Sequence, residues 1–178
     1  MSRGMLDFRI RRNAEAAAGL AARDVVELTE RAIRSTFYTD GLAAEQVEAN
    51  GRIPPLGGQV FFEAAASEAQ HLAAAFAGDR LAGYMIATRH GPEDFELDWL
   101  MVDPIHQGTG VAGALMEEGI GWLGAGRPIW LTVIKHNYRA IAFYRRFGFE
   151  IDPDSELGRV VPSCIMRRRP GGHPPSND

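Results

Sequence analysis

The segment Val102–Glu117, VDPIHQGTGVAGALME, constrains the fold of this chain more than any other stretch. It follows an apolar, strand-like run, Phe95–Val102 (FELDWLMV), which Asp103-Pro104 brings to an end. Gly108, Gly110 and Gly113 then bracket the start of a helix predicted over Gly108–Gly124. On that helix Val111, Leu115, Trp122 and Leu123 recur at helical spacing and predict one buried stripe. The next apolar run, Ile129–Ile134 (IWLTVI), is rich in β-branched and aromatic residues and reads as a strand. A strand, a long helix and a second strand require a crossover, so the two strands are predicted parallel in one sheet. Glycines at the start of such a helix let backbone approach a ligand and adopt conformations closed to other residues. The first amides of a helix have no internal partner, and the macrodipole favours an anion there. The segment is therefore a candidate backbone cradle for a pyrophosphate; the alternative is a glycine-rich turn packed against the sheet.

The rest of the chain supplies a mixed sheet around that unit. Leu6–Arg12 alternates as a short strand, and Ala14 to about Thr36 reads as a helix. Asn50–Gln59 (NGRIPPLGGQ) reads as a Pro/Gly loop without a domain boundary. His71–Ala77 and Leu81–Thr88, joined through Gly78-Asp79-Arg80, predict a hairpin. Tyr138–Phe147 is a second helix, with Asn137 where its N-cap belongs and Gly148 where it should stop. Phe149–Ile151 and Cys164–Arg168 close the chain as strands. The expected class is α/β with a mixed, mostly antiparallel sheet, as one domain over residues 1–169. The tail Pro170–Asp178 (PGGHPPSND) is expected to be disordered.

Composition excludes several functions. A formal net charge of -4 leaves no basic footprint for nucleic acid. The arginines at 9, 11 and 12 and at 167–169 read as solvated strand ends. Cys164 is the single cysteine, so neither an internal disulfide nor a Cys-rich metal site is expected. Its strand-like surroundings suit a buried thiol better than a nucleophile. No apolar run approaches the roughly 18 residues of a membrane helix. The Ala-rich N-terminus is interrupted by Glu15, Arg23 and Asp24 and does not read as a leader. A cytoplasmic protein that binds neither membrane nor nucleic acid is expected, and a homodimer is compatible with the sequence.

Gly108, Gly110 and Gly113 also satisfy G-x-G-x-x-G, a dinucleotide fingerprint. That motif follows its strand directly and expects an acidic residue about 20 positions later. Here residues 103–107 intervene, and the next strand ends in Ile134-Lys135-His136. Lys135 could meet an NADP phosphate, so an NADP-binding protein is a minor alternative. It leaves the segment HNYRAIAFYRRFGFE unexplained. On the predicted helix there, Ala140, Phe143 and Phe147 form a packing face, with Tyr144 beside Ile141 on its flank.

Together the two segments resemble the GNAT superfamily of N-acetyltransferases. Gln107, Gly110 and Ala112 match its coenzyme A motif, [Q/R]-x-x-G-x-[G/A], and Asn137, Ala140, Phe143, Tyr144, Gly148 and Phe149 match N-x-x-A-x-x-F-Y-x-x-x-G-F. The resemblance is strong from about Leu72 to Phe149 and weak before it. It implies acetyl-CoA as cosubstrate, no metal, and a thioester entering a gap between two splayed parallel strands. Backbone groups of Leu100, Met101 and Val102 would pair with the pantetheine arm like an added strand. The amides of Gln107, Gly108, Thr109, Gly110, Val111, Ala112 and Gly113 would hold the pyrophosphate. Asn137 would hydrogen-bond the pantetheine arm, and Tyr144 would face the sulfur as acid or hydrogen-bond donor.

An amine with a pKa near 10.4 is neutral only about once in 10³ at pH 7, which sets about 4–5 kcal/mol against attack. A carboxylate that takes its proton lowers that barrier. Glu96 stands where the histone-acetyltransferase branch of the superfamily resembles it in carrying a glutamate base. Asp98 should share its face, and a β-bulge could change which of the two points inward. Trp99 and residues 37–40 (FYTD) are candidate acceptor contacts, Trp99 more as a core residue. The acceptor is expected to be an amine of a small molecule or peptide. A coenzyme A-binding protein without catalysis is the other alternative.

Overall fold

The computed structural model describes residues 7–171. The sequence-based strand position at Leu6 and most of the predicted disordered tail lie outside the described residues. Among the described residues seven strands form one sheet: β1 (Arg9–Arg12), β2 (Gln70–Ala77), β3 (Arg80–Gly91), β4 (Asp94–Val102), β5 (Ile129–Ile134), β6 (Phe149–Ile151) and β7 (Ser163–Arg168). Their order is β1-β2-β3-β4-β5-β7-β6, and every neighbouring pair is antiparallel except β4–β5. The hairpin, the parallel pair and the two closing strands stand as the sequence predicts.

Helices cover both faces. Four precede the hairpin: α1 (Asn13–Ala17), α2 (Ala22–Phe37), α3 (Ala44–Gly51) and α4 (Ile53–Ala65). Two follow β4: α5 (Val111–Leu123) and α6 (Tyr138–Arg145). Val25, Leu28, Phe61 and Ala64 from the first group pack on Leu72, Ala74, Phe76, Tyr84 and Ile86 of the sheet. Val111, Leu115, Met116, Leu123 and Ile141 pack on the opposite face, against Met85, Leu97, Leu131 and Met166. Strands β2 and β3 are thus buried on both sides, which is why they read as nearly unbroken apolar runs.

Two expectations from the first half fail. The single helix predicted from Ala14 to Thr36 is broken, because Gly19 takes φ +74 and residues 18–21 are not helical. The Asp24 carboxylate then accepts from the Ala21 amide at 3.1 Å and starts α2 afresh. The loop predicted over Asn50–Gln59 is instead the end of α3 and the first half of α4. Proline opens α4, where an amide would lack a partner anyway. Gly57 and Gly58 are packing glycines. A Cβ on Gly57 would sit 2.8 Å from Tyr84 Oη and 2.9 Å from Thr29 Oγ1, and one on Gly58 2.6 Å from Val26 Cγ2.

Candidate active site

Strands β4 and β5 pair at one register position, Glu96 opposite Trp130. Beyond it they diverge, and the later part of β4 keeps only β3 as its partner. This opens a cavity of about 1480 Å³ that runs through the sheet. Its walls are β4 from Glu96 to Val102, the end of β5, the head of α5, one side of α6, α2–α4, and the segment between β6 and β7.

At one end stands the predicted cradle. Gly108 (φ +77) and Gly110 (φ +94) are both left-handed, so α5 begins at Val111 rather than Gly108. The helix's first bond runs from the Ala114 amide to the Gly110 carbonyl at 3.0 Å, so the amides before it have no intrahelical partner. No heavy atom lies within 4 Å of a Cβ built on Gly110. Gln107, Gly108, Gly110, Ala112 and Gly113 line the cavity, whereas Thr109 and Val111 do not. The Thr109 hydroxyl donates to the His106 carbonyl, and Val111 is in the core, which leaves these two only their backbone to offer.

Along the middle lie Leu100, Met101 and Val102, all half-buried and lining the cavity. Asn137 caps α6, its side-chain oxygen accepting from the Ala140 amide at 3.1 Å, and its NH2 can serve a ligand as donor. Tyr144 lines the cavity and packs edge-on against Phe143 at 5.5 Å. Its hydroxyl makes no hydrogen bond to any described residue, and burial pushes its pKa up to about 12.

At the far end are the carboxylates. The register of β4 on β3 passes from Trp99 opposite Ile86 to Leu97 opposite Ala87, so Asp98 is an extra residue, a β-bulge. The bulge reverses the alternation. Phe95 and Leu97 face the α5 side before it, and Leu100 and Val102 after it. Glu96, Asp98 and Trp99 consequently all line the cavity. Burial raises the pKa of Glu96, the Asp98 charge raises it further, and a hydrogen bond from His90 opposes both. Asp98 is surrounded by the concave wall yet reached by solvent; burial raises its pKa against the pull of His90 and Arg159.

Phe37 reaches the cavity, but Tyr38, Thr39 and Asp40 do not; Trp99 both lines it and packs into the core. Sequence reasoning missed three contributors. Asn50 is buried on the wall, its NH2 donating to the Phe37 carbonyl at 3.1 Å, and its Oδ1 has no partner among the described residues. Arg159 stands beside Asp98. His90 Nε2 lies 2.6 Å from Glu96 Oε2. None carries a local motif. Cys164 is 5% exposed and burial raises its pKa, as a packed thiol requires. Lys135 pairs with Glu156 at 2.6 Å. Among the described residues no helix is long and apolar enough to cross a membrane, and no group of three or more metal-ligating side chains occurs.

The model of the acetyltransferase (GNAT) family matches residues 32–149 of the 178. An uncharacterised N-acetyltransferase of Mycobacterium bovis is 40% identical over 77 residues, 41% of this chain and 48% of that protein. The N-alpha-acetyltransferase RimI of Mycobacterium tuberculosis is 34% identical over 88 residues, 48% of this chain and 55% of RimI. The chain thus spans about half the length of these curated relatives. The PaiA N-acetyltransferase of Thermoplasma acidophilum, solved with coenzyme A, shares the fold. Its TM-score is 0.69 at 17% identity, over 92% of this chain and 99% of that one.

Proposed function

This chain belongs to the acetyltransferase (GNAT) family, and from that membership we propose that it passes an acetyl group from acetyl-CoA to a primary amine within a ternary complex. The observation that carries the reading is the continuity of one cavity, from the left-handed glycines at the head of α5, through the gap between β4 and β5, to Glu96.

These residues fit the cosubstrate. The open first turn of α5 suits a pyrophosphate, and the unpaired edge of β4 at Leu100–Val102 suits an extended amide-bearing arm. When bound, acetyl-CoA supplies a thioester already activated for attack, so no enzyme nucleophile is needed. The buried, high-pKa thiol of Cys164 agrees with that.

Glu96 takes one proton from the acceptor's ammonium, R–NH3+ becoming R–NH2 and the carboxylate becoming a carboxylic acid. Its raised pKa narrows the gap to the amine and makes it a better base than an exposed glutamate. The amine nitrogen then bonds to the acetyl carbon as the carbon–sulfur bond breaks, and the second nitrogen proton ends on the departing thiol. Tyr144 steadies that sulfur by donating a hydrogen bond and keeps its own proton. A phenol held at about 12 would lose it to a thiolate of pKa about 8.5 only against roughly 5 kcal/mol.

Trp99, Phe37, Ile53 and Leu56 give the acceptor end apolar walls, so a primary amine on a partly apolar stem is the expected acceptor. The name of the N-alpha-acetyltransferase relative puts α-amines on the panel to be tried beside other amines. The test is thiol release from acetyl-CoA across that panel, with initial rates at varied concentrations of both substrates. Release with at least one amine and intersecting rate patterns is expected. Binding of acetyl-CoA without release from any amine would leave a non-catalytic coenzyme A protein, and parallel patterns would replace direct attack by an acyl-enzyme.

A further inference from the structure

His90 lies outside both sequence motifs. The pairing of β3 with β4 moves from Arg89 opposite Phe95 to Gly91 opposite Asp94, which leaves His90 as an extra residue, a second β-bulge. Two bulges therefore flank Glu96, one at Asp98 on its own strand and one at His90 on the neighbouring strand. Bulges re-aim side chains, and here both turn toward the same carboxylate.

The His90 ring is held from two directions, at its edge and on its face. Its Nε2 is 2.6 Å from Glu96 Oε2. Its face stacks on the Trp130 indole at 6.0 Å and 22°. The indole is itself fixed, donating Nε1–H to Asp94 Oδ1 at 2.7 Å, and it pairs with Glu96 at the last register position before the strands part. The His90 side chain is 41% exposed and that of Glu96 only 12%, so the imidazole joins a half-buried carboxylate to solvent. When Glu96 is ionised it only accepts, and the hydrogen in the 2.6 Å contact then belongs to Nε2.

We propose that His90 is the positioning residue of the base. By donating Nε2–H to one oxygen of Glu96 it keeps that carboxylate charged beside Asp98 and leaves the other oxygen to take the acceptor's proton. The need for it follows from the charges around Glu96. Asp94 and Asp98 on β4 both repel its charge, Arg159 faces Asp98 from the segment between β6 and β7, and β5 contributes the uncharged Trp130. Two carboxylates that share a partly desolvated site cannot both stay ionised without a compensating donor. His90 is that donor among the described residues.

The proposal rests on Glu96 being the base, and the experiment separates the two. Wild type, His90→Phe and His90→Gln are compared; phenylalanine keeps the stack on Trp130 and loses the donor, and glutamine keeps an N–H donor. The Glu96 carboxyl is titrated by carbon-detected NMR, its resonance assigned by its loss in Glu96→Gln, and kcat/KM for the amine is followed against pH. In His90→Phe the Glu96 titration and the lower break of the kcat/KM profile should both move up by about one pH unit. The rate loss should be about tenfold on the acid side and narrow as pH rises. His90→Gln should recover part of the shift. Identical titrations in all three proteins would overturn the proposal, as would a rate loss equal at every pH. If no amine supports thiol release, the acetyltransferase reading falls and the carboxyl titration still decides what His90 does to Glu96.

Discussion

Gly110 offers a test in which the fold and the ligand site answer separately. It caps α5 at φ +94, ψ -12, a region that side chains rarely enter. Because no heavy atom lies within 4 Å of its would-be Cβ, alanine there meets no clash and only the backbone conformation is penalised. That penalty is about 1–2 kcal/mol, reduced by about 0.4–1 kcal/mol because alanine also restricts the unfolded chain. Gly110→Ala should therefore lower stability by about 1 kcal/mol. Gly121, within α5, is the control. It too has nothing within 4 Å, but it is helical, so Gly121→Ala should raise stability by about 0.5–1 kcal/mol. The same methyl in the same helix thus acts with opposite signs. In a chain of this size the two variants should differ in Tm by about 3–8 °C, read by thermal unfolding without ligand. The open space at Gly110 is cavity, so Gly110→Val should also weaken acetyl-CoA binding by tenfold or more in calorimetry, while Gly121→Ala should not. Equal Tm values for the two alanine variants would refute the conformational argument. Unchanged affinity in Gly110→Val would refute the cradle.

Tyr144→Phe should lower kcat far more than it weakens acetyl-CoA binding, because the ring still packs on Phe143 and only a hydrogen bond made to the departing sulfur is lost; an unaltered kcat would make it a packing residue. The Glu118 carboxyl is held down to about 2, first by its hydrogen bond from Arg12 and further by His71. Its folded pKa is thus depressed, so its contribution, about 1–2 kcal/mol after allowance for the exposed Arg12, is present above the unfolded value of about 4.5 and fades as pH falls toward 2. The Tm of Glu118→Gln should accordingly lie below wild type at pH 7, with the gap closing across that window. Gly57→Ala should destabilise by about 1–3 kcal/mol in chemical denaturation despite the helical preference of alanine, since the methyl would meet the buried Tyr84–Thr29 pair.

What was legible in the sequence follows from how far each signal travels along the chain. Gly110, Gly124 and Gly148 all take positive φ, and each ends or begins a helix by a demand its own backbone makes. Such signals are local, so the second half of the chain could be read nearly element by element. The break at Gly19 is equally local, yet the alanines around it suit a helix on either side and hide it. In Ile53–Ala65 the error has another origin. Pro54, Pro55, Gly57 and Gly58 carry the local meaning of a loop, but the glycines answer to Tyr84 and Thr29 on one side and Val26 on the other. A contact partner some 25 or more positions away leaves no periodicity to detect.

The candidate site divides along the same line. The proposed cradle is made of backbone, and its left-handed positions, Gly108 and Gly110, call for glycine, so the proposed binding end is spelled out in consecutive residues. The proposed proton chemistry depends on two bulges whose positions are set by how β3 and β4 register against each other. Asp98 could be suspected, since it stands two residues from Glu96 on one strand. His90 could not, because its place beside Glu96 exists only once Arg89 pairs with Phe95 and Gly91 with Asp94. The group that lowers the pKa of Glu96 approaches it from another strand, since its neighbours on its own strand, Asp94 and Asp98, carry the same charge and raise it. A motif can therefore name the candidate base of such a site, whereas the residue proposed to keep it charged is found only from the register.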